Sequence, residues 1–510
     1  MPPTTPPAPD QGEPLIRDRG DACPGALRLH PADDGRLARL RLPAGLMTPR
    51  QVEVLASAAE SLGDGRVTVT SRGNVELRGL GERCGAELAD RLAEAGLLPS
   101  TTHERVRNIV ASPTAGLDGL GHADVQLWAR ELDALLCAEP WTAALSGRFL
   151  FALDDGRGDV AGLGGDVTLI AEAGPSAGGA GMPSAGGAGM SSDPAPGASG
   201  ALVCVGGQAF RVAGADAPRA ALAAADAFLR AAQAAGNGAW RVRELPGVAG
   251  AGTTDRVPAD GPAVGPADGP ADHPGLDPHA TTDNPTGHPA PDTYATRRPA
   301  PEGPVDAAGA TRRPAPEGRV DAAGAAPVTP LDLTAAFARA GIDARAVVPA
   351  PPLPRVAPPA AGALGGRALH VLAPLGRLTA AQLRALLPAD EVRLTPWRGV
   401  VVVGASDERL PELDAAGLIT RPTDPWAGVG ACAGRPGCAK SLADVRADAT
   451  PGLGGLPVHF SGCERRCGHP QGHAWVDVVA VADGGYLVDG RPTPRTDLPH
   501  AVAAARTPTR

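Results

Sequence analysis

Apolar and polar residues alternate through Leu37–Pro43 (LARLRLP), the pattern of a strand with one buried face. The next stretch, Thr48–Gly63, carries its apolar residues at helical spacing. Two more alternating runs, Arg66–Thr70 and Asn74–Leu80, flank the short turn SRG, and a second helical run follows over Cys84–Gly96. The same order returns later in the chain as Ala368–Pro374, Leu378–Pro388, the long run Glu391–Gly404 and the helical Glu408–Gly417. Thr48 and Gln51 occupy places equivalent to Thr379 and Gln382, as do the strand-ending Thr70 and Thr395. The order β-α-β-β-α predicts an α+β fold with a pseudo-twofold duplication of ferredoxin-like (split βαβ) units. Each unit is followed by a glycine-rich loop, Arg107–Gly119 or Trp426–Ser441, and then by a larger α+β region.

Two stretches break the pattern. Residues 174–200 contain PSAGGAGM twice in tandem, and residues 248–329 repeat TRRPAPEG. Both are poor in apolar residues and rich in Gly and Pro, so burial there cannot offset the entropy of ordering. The expected layout is a disordered N-terminus over 1–20, a first ferredoxin-like repeat over 21–100 and a first larger region over 101–247. That region holds a flexible insertion at 174–200. A disordered linker over 248–329 leads to the second repeat over 330–422, the second larger region over 423–500 and a tail over 501–510.

Composition narrows the function. The 68 glycines and 55 prolines belong mostly in the linkers, since both residues weaken helix and strand interiors. Lys440 is the only lysine among 47 basic residues, so arginine number by itself says little. A net charge of −9 argues against a nucleic-acid-coating protein or a polybasic membrane binder. The first twenty residues lack a basic segment followed by an apolar one, and no run approaches a membrane span, so a cytoplasmic enzyme with no membrane or nucleic-acid partner is expected. Disulfides are rare in that compartment, and clustered cysteines point to metal or catalysis.

Four of the eight cysteines (Cys23, Cys84, Cys137 and Cys204) stand alone, whereas Cys432-x5-Cys438 and Cys463-x3-Cys467 form two close pairs. The pairs lie in GACAGRPGCAKS and FSGCERRCGHP, where small residues let the backbone wrap closely around a metal centre. Four thiolates in such a setting fit a [4Fe–4S] cluster. Structural zinc is the alternative, but it favours tighter knuckles than a five-residue gap.

The C-x5-C and C-x3-C pairs, with G-C-x3-C-G in the second, resemble the cluster motif of the sulfite and nitrite reductase superfamily. VTVTSRGNVELRG resembles that family's T-x-R-x-N turn, VRNIVASP its R-N-V-x-x-x-P segment, and LSGRFLFALDDG the stretch with a basic-Phe-Lys triplet. The resemblance implies a substrate- or cofactor-facing role for Arg72, Arg107 and Arg148, with Asn74 a hydrogen-bonding partner. It also implies that Cys467 bridges to sirohaem in members that bind that cofactor. Leu150 stands where the family has the lysine of the triplet, which removes one cation from the anion pocket.

The early CPG (Cys23–Gly25), GRFLFALDDG and the C-G-H-P ending at Cys467–Pro470 together resemble the precorrin-3B synthases, the cobalamin-pathway branch. That branch implies hydroxylation of precorrin-3A at C20 by molecular oxygen, followed by γ-lactone closure. It implies a [4Fe–4S] cluster, a mononuclear non-haem iron, and an external electron donor, NADH through a reductase or a ferredoxin. Arginine forks suit the carboxylate rim of such a tetrapyrrole. His469 and Lys440, beside the cysteines, are candidate catalytic or potential-tuning groups, and no 2-His-1-carboxylate set stands out for the second iron. Two other functions remain open: a sirohaem-dependent assimilatory sulfite or nitrite reductase, and a non-catalytic iron–sulfur carrier or tetrapyrrole-binding protein.

Overall fold

The computed structural model describes residues 24–173, 200–248, 331–452, 455–470 and 474–507. The expected N-terminal segment 1–20, Cys23, and nearly all of the 174–200 and 248–329 stretches lie outside them.

Both predicted units form, with their helices and strands close to the expected bounds. Thr48 starts the helix Pro49–Leu62 by accepting from the Gln51 N–H while the Gln51 side chain accepts from Thr48. Thr379 and Gln382 start Ala380–Ala385 the same way. The run Glu391–Gly404 resolves into two strands, Glu391–Leu394 and Gly399–Val403, joined by a tight turn. Between units the sheets exchange edges. Arg377–Thr379 of the second unit pairs antiparallel with Arg66–Val69 of the first. Leu46–Met47 of the first pairs with Glu391–Leu394 of the second. One hydrophobic core runs through both units, with Val52, Leu55, Leu77 and Leu88 packed in the same cluster as Leu378, Leu383, Val392 and Val400.

The two larger regions also share a topology. In the first, Ile109–Ala111, Phe151–Asp154 and Val167–Glu172 run parallel, and Gly200–Val205 and Gln208–Ala213 continue antiparallel. In the second, Val429–Ala431, Val458–Ser461 and Val476–Ala480 run parallel, followed by antiparallel Tyr486–Val488 and Arg491–Thr493. The register is equal as well: Ala111 lies opposite Leu153 as Ala431 lies opposite Phe460. Helices Val125–Ala138 and Ala217–Ala235 cover the first sheet, with Phe149 packed against Phe151 and Phe228.

Two boundaries differ from the sequence expectation. Residues 331–346, expected in the second repeat, complete the first larger region. Leu333, Ala336 and Phe337 enter its core, and Arg345–Ala346 pairs with Gln208–Ala213. Residues 501–506, expected in the tail, finish the helix Leu498–Arg506. There the buried Arg506 guanidinium donates to the carbonyls of Ala427, Gly452 and Leu456. Apolar residues on these short segments, and one arginine whose acceptors are distant in sequence, decide both cases.

Candidate metal centre and adjoining cavity

Cys432 and Cys463 sit at the carboxyl ends of neighbouring parallel strands, Val429–Ala431 and Val458–Ser461, which brings the two cysteine pairs together. Cys432 continues the ladder, donating its N–H to the Phe460 carbonyl, and its Sγ accepts from the Gly462 N–H at 3.2 Å. Cys467 is exposed, yet partial desolvation of its thiol pushes it up and the nearby Cys432, Cys463 and Cys438 push it further, so each of these three lies within electrostatic reach of Cys467. Thiol donors, an amide aimed at one sulfur and neighbouring guanidinium groups are the surroundings a thiolate-ligated, negatively charged cluster requires.

Two arginines brace these loops and a third lies near them. Arg398 donates to the carbonyls of Ala431 and Gly468, the residues flanking Cys432 and Cys467. Its backbone stands at φ +64° in the turn Thr395–Gly399, a conformation that costs a side-chain-bearing residue about 1–2 kcal/mol. Arg78 reaches across from the first unit to the Gly437 carbonyl beside Cys438 and pairs with Asp34. Arg446, in the short helix Val445–Asp448, lies near Cys432, and its Nε is buried without a hydrogen-bond partner. Burial and the charges of Arg377 and Arg78 push its pKa down to about 10. His459 Nε2 donates to the Cys467 carbonyl at 3.1 Å, and burial together with Arg398 holds its pKa well below the usual histidine range.

A cavity of about 490 Å³ opens beside the second cysteine pair. Trp397, Arg398, Trp426, His459, Gly468 and His469 are among its lining residues. The His469 ring stacks on Trp475 at 5.2 Å between centroids, and its Nδ1 donates to the Pro470 carbonyl. The volume is that of a small-molecule site.

The sequence-derived candidates separate into groups. Cys432, Cys438 and Cys463 lie within electrostatic reach of Cys467, and His469 faces the cavity next to Cys467. Lys440 is exposed. Arg72 lies in the turn equivalent to that of Arg398, with its N–H on the Thr70 hydroxyl. Asn74 is spent on structure: its Oδ1 accepts from Leu42 N–H and its amide donates to Asn108. Arg107 differs from the expectation of a substrate-facing fork. It is 4% exposed, and the Nε and Nη2 of its guanidinium close on Asp133 at 2.6 and 2.7 Å, facing a separate cavity of about 400 Å³. Arg148 is exposed, its guanidinium 4.7 Å over the Trp240 ring. Leu150 is 2% exposed in a small apolar cluster with Val110, Ala152 and Val160, against which Trp397 packs.

Sequence reasoning missed Arg398 and Arg446. The signal for Arg398 was available in the parallel between TSRGN and TPWRG, which sets it against Gly73; the abundance of arginine masked it.

Asp154, Asp155 and Asp159 form a second group of possible ligands, with one oxygen of each within 4.8 Å of the others. They fit an ion poorly. Both Asp154 oxygens accept backbone amides, from Gly156, Gly158, Val160 and Ala161, and Asp155 is closed by Arg157. The set contains no histidine for a non-haem iron.

Residues 30–95 match the nitrite/sulfite reductase ferredoxin-like half domain. A ferredoxin–nitrite reductase of Leptolyngbya laminosa is 37% identical over 91 residues, 17% of this chain and 18% of that protein. One from Synechococcus elongatus is 34% identical over 134 residues, 25% of this chain and 26% of its own. A precorrin-3B synthase of a Sinorhizobium species is 31% identical over 138 residues, 27% of this chain and 29% of that protein. The matched stretches therefore span less than a third of any of these relatives. Among solved structures, the Mycobacterium tuberculosis NirA protein superposes with a TM-score of 0.52 at 16% identity, covering 91% of this chain and 78% of that one. The chain thus shares the α+β fold of these oxidoreductases and carries their ferredoxin-like half domain. Among the described residues, no helix is long and apolar enough to cross a membrane.

Proposed function

We propose that this protein is an oxygen-dependent oxidoreductase of the precorrin-3B synthase kind, hydroxylating precorrin-3A at C20. The observation behind this reading is the apolar site at Leu150. Where an anion-reducing pocket needs a cation, Leu150 is buried with Val110 and Val160, and Trp397 packs on that cluster while lining the cavity. An apolar, aromatic wall suits the flat face of an organic macrocycle better than a small hydrated anion. The precorrin-3B synthase relative supports the same choice.

Cys432, Cys438, Cys463 and Cys467 would hold a [4Fe–4S] cluster, which when bound passes electrons one at a time. Arg398 fixes the two cysteine loops against the cavity. Trp397 and Trp426 exclude water from its apolar side. His469, held by its stack on Trp475 and its bond to Pro470, is the cavity group assigned to proton transfer. In the balanced reaction one oxygen atom enters the substrate and the other leaves as water. Two electrons come from an external donor, a ferredoxin or NADH through a reductase. Lactone closure then needs mainly proximity of the ring-A acetate to the activated carbon.

The test is turnover of precorrin-3A by the reduced, full-length protein under ¹⁸O₂. A product carrying one labelled oxygen supports the proposal, and no product from protein with an intact cluster contradicts it. The identities to nitrite reductases favour a second reading, a sirohaem-dependent nitrite or sulfite reductase. Consumption of nitrite or sulfite by sirohaem-containing protein would establish that reading instead.

A further inference from the structure

The duplicated architecture shows what the cysteine half has gained. Ser112 follows the first strand of its sheet as Cys432 does, and their N–H groups donate to equivalent carbonyls, Leu153 and Phe460. The Ser112 Oγ accepts from Asp155 N–H as the Cys432 Sγ accepts from Gly462 N–H. Asp124-Val125-Gln126 and Asp444-Val445-Arg446 then open the next helix of each half, with the aspartate capping it. By this correspondence, neutral Gln126 stands opposite Arg446. In the turns, Gly73 at φ +68° stands opposite Arg398 at φ +64°. The half without clustered cysteines thus has no charge at either position. Gln126 donates to the Ser112 carbonyl, a local structural bond.

We propose that Arg446 is a positioning residue of the cysteine site, which offsets its negative charge and raises the reduction potential of the cluster. Arg398 and Arg78 share in the compensation while holding the loops. The inference rests on the cluster assignment made above. Arg446 suits the role because its buried Nε has no hydrogen-bond partner and the carboxylate within its electrostatic reach, Glu76, is already closed by Arg39, whereas Arg78 and Arg377 are paired with Asp34 and Asp64. Each electron that enters from an external one-electron donor adds one unit of negative charge at the site, with no bond made or broken. A fixed, partly desolvated guanidinium nearby favours that added charge. Lys440, exposed to solvent, is screened and contributes less.

The experiment is an EPR-monitored redox titration of full-length, anaerobically purified protein, with dithionite as reductant, in parallel with iron and sulfide analysis. Arg446→Gln, which reproduces the residue of the other half, should keep its iron and sulfide. Its preference for the reduced state should drop about tenfold, a fall of about 59 mV for one electron. Arg446→Lys should return most of the shift. An unchanged potential in Arg446→Gln with the cluster retained overturns the inference and leaves the cluster assignment standing. If Arg446→Gln loses its cluster, Arg446→Lys decides. A retained cluster at near wild-type potential supports a charge role, and loss from this variant too makes Arg446 a packing residue and overturns it. Wild-type protein containing zinc, or no iron and sulfide, would instead overturn the cluster assignment itself.

Discussion

The two larger regions have one topology and one register, yet the loops above their central strands have opposite chemistry. In the first, Asp154, Asp155 and Asp159 fold into a knot filled by the chain's own amides, Arg157 and the Ser112 hydroxyl. In the second, the corresponding loops present four thiols, with arginines bracing them from outside. The knot satisfies every carboxylate oxygen but Asp159 Oδ2 with the chain's own donors, which leaves little for a ligand to satisfy. The thiol site leaves the buried Arg446 Nε without a partner near Cys432, and under the proposed cluster assignment its charge is balanced by the group bound there. On that proposed assignment, duplication has yielded one half that supports and one that binds.

Substitutions can break this contrast, the largest effect coming first. Cys463→Ser should reduce iron and sulfide to background, whereas Ser112→Ala in the other half should leave both at wild-type levels; elemental analysis checks the pair. Arg107→Ala should cost about 3–5 kcal/mol in chemical denaturation, because it strands the Asp133 carboxylate of a buried ion pair. A stable Arg107→Ala protein with weakened tetrapyrrole binding would return Arg107 to the substrate.

Asp159 provides a pH test. It is 6% exposed, and burial, reinforced by Asp154 and Asp155 and opposed by the Ser112 hydroxyl, raises its pKa to about 7. Between about pH 4 and pH 7 the folded state keeps a proton that the unfolded chain has released. Stability from this group is therefore full below that window and falls as pH rises through it, by roughly 2–4 kcal/mol. Asp159→Asn should flatten the slope between urea unfolding at pH 5 and at pH 8, and an unchanged slope would contradict the placement. The smallest effects belong to the paired turns. Gly73→Ala should lower stability by about 1–2 kcal/mol, since its Cβ meets the Leu394 carbonyl at positive φ. Arg398→Gly should relieve a similar backbone cost while reducing cluster retention, read as melting temperature against iron content.

Much of the fold was legible where the signal is local. Alternation in Arg66–Thr70 and Asn74–Leu80, and the matching Thr48/Gln51 and Thr379/Gln382 pairs, revealed the duplicated units. The exchanged strands Leu46–Met47 and Arg377–Thr379 were not legible, since two or three residues carry no measurable period. The cysteine pairs announced themselves through spacing. Arg107 did not reveal its partner, because Asp133 lies on a different element and the ion pair forms only when helix Val125–Ala138 packs. Arg446 was hidden for the opposite reason: its Nε has no hydrogen-bond partner, and a lone arginine in an arginine-rich chain looks like any other.

The most direct test of the central claim, a thiolate-held cluster beside an organic-substrate cavity, is an absorption spectrum of anaerobically purified full-length protein with iron, sulfide and sirohaem analysis. A broad iron–sulfur band with about four sulfides per chain and no sirohaem is the expected result. A strong sirohaem spectrum would contradict the reading of Leu150 and the cavity wall, and protein without sulfide would contradict the cysteine site itself.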